Sequence, residues 1–116
     1  MTTDSPLRSR LRAALVDARR ARDAETVSTL RTALAALENA EAVPTGSVAG
    51  ALEDAPVGVG AAEAERRVLS EADELAVLDA EIASLDEAGR AYACSVPERA
   101  AAAREAARRL GALRRD

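Results

Sequence analysis

At 116 residues and a formal charge of −4, the chain has the length of one small domain. It holds no His, Lys, Phe, Trp or Gln, one Tyr and one Cys, which excludes an intramolecular disulfide, a His-based metal or catalytic centre and an aromatic-rich core. No apolar stretch reaches the roughly eighteen uncharged residues of a membrane span, and no export signal opens the chain, so a soluble, cytoplasmic protein is expected.

Thirteen Leu, nine Val and one Ile must supply the core, with Ala, about a quarter of the chain, filling the gaps. Ala is the strongest helix former, so the composition points to an all-helical fold. Ala-lined seams bury little area, at roughly 25 cal/mol per Å², so stability is expected to be marginal unless a partner contributes. The complete use of Arg over Lys suggests a genome rich in GC codons and bears on no site.

The elements are read in chain order. Ser5 is placed to cap a first helix over about 6–21, with Pro6 at its first position, and Leu7, Leu11 and Leu15 form its stripe with Ala14 and Ala18. Arg22–Asp23 breaks that register. Asp23 fits the cap of a second helix over about 24–41, whose stripe is Val27, Leu30, Leu34 and Leu37, with Glu25 facing the positive end of the dipole. The two read as a tight antiparallel hairpin; a single helix running through Asp23 is the rival. The stretch 43–61 holds four of the six Gly and two of the four Pro and reads as a flexible, solvated linker.

A third helix over about 71–94 begins at a capping box, Ser70 with Asp73. Its stripe is Leu75, Leu78, Ile82, Leu85, Gly89 and Tyr92. Gly89 falls on that stripe, which fits a close backbone approach there; the alternative is that it ends the helix. A fourth helix over about 97–113 follows Ser95-Val96-Pro97-Glu98, with Ser95 expected as its cap, and has a weaker stripe of Ala103, Ala106, Leu110 and Leu113. The expected architecture is therefore all-α: an N-terminal hairpin in 1–42 packed on a C-terminal hairpin in 62–116, together one domain.

Charge is segregated. Met1–Arg22 has six Arg against two Asp, whereas Ala61–Val96 has three Arg against nine acids, and Pro97–Asp116 again carries six Arg against three acids. One reading is mutual neutralisation between basic outer helices and an acidic third helix, at roughly 0–1 kcal/mol per exposed pair. The sharper reading sets Arg8, Arg12, Arg19 and Arg20 beside Arg104, Arg108 and Arg115 as a face for RNA phosphates. The acidic total and the missing aromatics favour the first, because single-stranded sites commonly stack bases on aromatic rings.

No chemistry-bearing constellation emerges. The acids are spaced as on solvated helix faces, so no metal and no cofactor is expected; Glu71 and Glu74 fit the positive end of the third helix. A Ser or Cys nucleophile has neither His nor Lys as a base, and Cys94 reads as a small helix residue. Gly58-Val59-Gly60 lacks the basic residue of a phosphate-cradling loop. Ser28 and Arg31 are expected beside the buried stripe of the second helix, in packing or a short polar contact.

One resemblance stands beside these readings. Arg22 and Asp23, Ser28, Leu30 and Arg31, and then Asn39 and Glu41 stand as in the YqeY-like family, as does Glu81. The match is best across Leu11–Ala42 and looser through Leu69–Asp73, Glu81–Ile82 and the fourth helix. That family is related to the tail of the B subunit of the tRNA-dependent amidotransferase, and its N-terminal part is helical. The resemblance implies a link to tRNA, to amidotransferase subunits and so to carbon–nitrogen ligation with glutamine as nitrogen donor. Two departures weaken it: no tail-like module is expected beyond the fourth helix, and Ala83-Ser84-Leu85-Asp86 replaces the family's basic residues. The expectation is a non-catalytic accessory module associated with tRNA or the amidotransferase; the alternative is a helical interaction module that forms a homodimer without nucleic acid.

Overall fold

A computed structural model describes residues 4–42 and 68–115. These residues form an all-α bundle of four helices: α1, Pro6–Arg20; α2, Ala24–Glu41; α3, Glu71–Tyr92; and α4, Pro97–Arg115. The stretch read as a linker, 43–61, lies outside the described residues, as do 62–67. Against expectation, α1 stops one residue earlier and α3 two, while α4 runs two further.

The helix ends follow from local chemistry. The Ser5 hydroxyl accepts the Arg8 amide at 3.1 Å, and Pro6 stands in the first turn, where its missing N–H costs nothing. At the far end of α1, Arg22 takes a left-handed backbone, φ 58°. The Asp23 amide bonds back to the Ala18 carbonyl at 2.9 Å and the Arg22 amide to Arg19 at 3.0 Å. This nested pair is a Schellman motif, and it ends α1 outright. Asp23 then starts α2: its carboxylate accepts the Thr26 amide at 3.2 Å and the Thr26 hydroxyl at 2.6 Å. Two helices meet at this turn, and the unbroken first helix is ruled out.

Ser70 and Asp73 exchange side-chain-to-amide bonds at 3.0 Å each, a complete capping box at the start of α3. The fourth helix begins at Pro97 as expected, but its cap is not Ser95. The Val96 amide still bonds to the Tyr92 carbonyl at 2.9 Å, so Ser95 belongs to the turn leaving α3. Val96 therefore holds the cap place, and it has no side-chain acceptor. Its backbone carbonyl takes the Arg99 and Ala100 amides instead.

Both helix pairs run antiparallel. Arg8 near the start of α1 meets Glu41 at the end of α2. In the second pair, Asp79 of α3 meets Arg114 of α4, and Gly89 lies against Ala100 and Arg104. The α3–α4 contact is the most extensive, and α2 and α4 each touch all the other helices. Leu11, Leu30, Leu37, Leu78 and Leu110 are fully buried where the four helices meet. Leu15, Val27, Leu75, Ile82, Leu85 and Leu113 border that cluster half-buried. Along α4, Ala100, Ala103, Ala106 and Ala107 form a buried seam with no large side chain. Gly89 is also buried, and α3 continues past it to Tyr92. A Cβ there would lie 3.0 Å from Arg104 Cγ and 3.7 Å from the Ala100 carbonyl oxygen. The close approach expected from its place on the stripe is present.

Candidate nucleic-acid interface

The seven arginines nominated as a phosphate face divide sharply by environment. Arg8 points inward. Its Nη2 donates to Glu41 at 2.6 Å and its Nε to Glu74 at 3.1 Å, while its side chain is only 11% exposed. Burial pulls this guanidinium's pKa down, but the bond to Glu74 and the charge of Glu41 outweigh that and leave it raised. Arg12 pairs with Asp4 at 2.7 Å on the surface. Arg104 reaches the Gly89 carbonyl at 3.4 Å, and Arg108 pairs with Glu105 one turn away. Arg115 is exposed and borders a hollow of about 480 Å³ between the starts of α1 and α3 and the end of α4, with Arg10, Arg114 and Glu71.

Arg19 and Arg20 remain. Both are exposed in the last turn of α1 and form no ion pair among the described residues. Arg22, two residues on, is exposed and equally unpaired there. These three arginines share one turn of chain whose backbone is fixed by the Schellman bonds and the Asp23 cap. The Thr26 bonds hold the Asp23 carboxyl below the usual carboxylate range, helped by the charge of Arg109, whose Nη2 lies 4.0 Å away. Two exposed carboxylates, Asp17 and Glu25, flank the turn.

The remaining residues of the resemblance serve varied ends. Leu30 is fully buried, and Glu41 anchors Arg8. Ser28 and Arg31, expected beside the buried stripe, are instead exposed on α2. Asn39 is exposed, its backbone carbonyl accepting the Ala42 amide at 3.1 Å. Glu81 is half-buried on α3.

Three features were not anticipated. Glu74, read as a dipole partner, is 4% exposed and carries the ion pair to Arg8. Its position one turn before Leu78 on the buried stripe was the available signal. Arg10 donates through Nε to the Leu113 carbonyl at 2.9 Å, tying α1 to the open end of α4. Arg114 grips Asp79 with two bonds, at 2.5 and 3.1 Å, which raises the guanidinium pKa. The Arg8–Glu74 and Arg114–Asp79 pairs belong to the basic–acidic neutralisation that the charge layout suggested.

Among the described residues, no group of three or more His, Cys, Asp or Glu could hold a metal ion. No described helix is long and apolar enough to cross a membrane. Cys94 stands exposed in the α3–α4 turn. Tyr92 is half-buried, and Arg99 lies over its ring, 5.3 Å from the centroid. No family model, no curated protein and no solved structure matches the chain.

Proposed function

We propose that this chain is a non-catalytic helical binding module of the YqeY-like kind, associated with tRNA or with the tRNA-dependent amidotransferase. The observation that carries the reading is the arginine turn. Arg19, Arg20 and Arg22 face solvent without ion pairs among the described residues, whereas Arg8, Arg12 and Arg108 are engaged with carboxylates. Phosphate contact is therefore assigned to the α1–α2 turn, with Arg115 as an outlying member. Arg8 belongs to the fold.

Filter binding of bulk tRNA across a salt series tests this. Charge reversal at Arg19 and Arg20 is expected to abolish retention, while wild type binds at low salt and is released steeply as salt rises. Absence of binding by wild type at low salt would end the RNA reading and leave the amidotransferase to be tested by co-purification.

A second reading, a homodimer without nucleic acid, rests on Leu85 and Ile82, which pack against the core on α3 but are only partly buried. Leu78 is 1% exposed within one chain, so substitution there reports on folding. Leu85→Asp is the informative variant. If this reading holds, light scattering gives a dimer mass for wild type and a monomer mass for the variant; a monomeric wild type at high concentration removes it.

A further inference from the structure

Resting on the RNA reading above, we infer that the α1–α2 turn binds the paired, stem regions of RNA in preference to unpaired strands. The argument starts from what the surface lacks. Strand-specific RNA sites commonly stack unpaired bases on aromatic rings, and that stacking offsets the cost of ordering a flexible strand. The chain has one aromatic residue, Tyr92. Its ring is half-buried and covered by Arg99, and Arg99 stands ten residues before Arg109, an α4 residue that faces Asp23 of the turn. Along a helix axis that is about 15 Å. No base held at the turn reaches a ring.

What the turn offers instead is three charges carried on a fixed backbone. Arg19 and Arg20 lie on the last helical turn and Arg22 on a left-handed residue pinned between two backbone bonds. Asp23 continues the frame by capping α2 through Thr26 and facing Arg109. Three guanidinium groups that must each be ordered on binding gain most from phosphates that are themselves held in place. A duplex presents them so, with two strands of charge and no ordering cost; its recognition by shape and phosphate needs no stacking. An unpaired strand would have to be ordered by three arginines alone.

The test compares a stem-loop RNA with an unstructured oligouridine carrying the same number of phosphates, by fluorescence anisotropy at several salt concentrations. The stem-loop is expected to bind at least about tenfold more tightly, the scale of a missing stacking contact. Arg22→Gly should lower the salt slope for the stem-loop by about one while keeping the fold, because glycine accepts the left-handed conformation readily. Arg90→Ala, on the acidic α3, should change affinity less than twofold. Equal or tighter binding of oligouridine would overturn the preference for paired RNA, and an unchanged slope in Arg22→Gly would overturn its placement at this turn, each leaving the RNA reading standing. Failure of both RNAs to bind at low salt would overturn the two together.

Discussion

Arg22 holds a backbone conformation that costs an ordinary L residue roughly 1–2 kcal/mol, at a C-terminal position where glycine is the usual occupant. Arg22→Gly is therefore expected to raise stability by about 0.5–1 kcal/mol, the relief of strain less the added freedom of the unfolded chain. Chemical denaturation measures it, and a loss of stability would mean that the arginine side chain holds the turn. The neighbouring Asp23 sets an acid limit. Its folded pKa is lowered, so its contribution is complete above the unfolded value of about 4 and is lost as pH falls through the folded value. The melting temperature of wild type should hold from neutrality to about pH 5 and then decline, with a smaller decline in Asp23→Asn, which keeps a cap without a titrating group. Such caps were legible in the sequence because donor and acceptor lie three residues apart. The Arg8–Glu74 pair spans 66 residues, and no local pattern names its partner.

At the scale of the helix, the two glycines of the C-terminal pair differ in what surrounds them. A Cβ on Gly111 would meet only Arg115 Nη1, at 3.6 Å. Gly111→Ala is thus expected to gain the helical preference of alanine, about 0.5–1 kcal/mol. At Gly89 the added carbon would press on the Arg104 stem at 3.0 Å. That stem belongs to an exposed side chain and can shift, so Gly89→Ala should gain less, whereas Gly89→Leu should lose about 1–3 kcal/mol by forcing α3 from α4. Thermal melts of the three variants give the order. Here the sequence was informative in kind: the place of Gly89 on an apolar stripe signalled a close approach. It was silent on which neighbour came close, since that depends on the register between α3 and α4. The start of α4 at Pro97 was read correctly, but its cap was misassigned for a related reason. Ser95 has cap chemistry, but it lies in the turn leaving α3, where the Val96 amide still bonds to the Tyr92 carbonyl.

For the molecule as a whole, Arg8 joins three helices through one side chain, touching the end of α2 and the first turns of α3 from α1. Removing it leaves the Glu74 carboxylate at 4% exposure without its cation. Arg8→Met is expected to cost about 2–3 kcal/mol, somewhat below a fully buried pair because Glu41 keeps access to water. Adding Glu74→Leu should recover much of that loss, since two apolar groups replace a broken pair. A denaturant series on wild type, the single and the double variant reads the coupling; a double variant as unstable as the sum of its parts would refute it. The whole-molecule plan was largely visible in advance. Apolar spacing, caps and alanine content gave four helices in two antiparallel pairs, and charge segregation suggested how basic helices fasten to an acidic one. Which arginines were spent on that fastening and which were left outward was not visible, because α1 places charges on every side and only packing sorts them.

The buried alanine seam along α4 also governs how the protein responds to heat. Methyl groups expose little hydrocarbon when two helices part, so hydration of the melted chain changes less than it would for leucine or phenylalanine interfaces. Calorimetry should accordingly find a heat-capacity increment below the ~12–15 cal/mol/K per residue of ordinary domains, and a stability curve that is broad and nearly flat around ambient temperature.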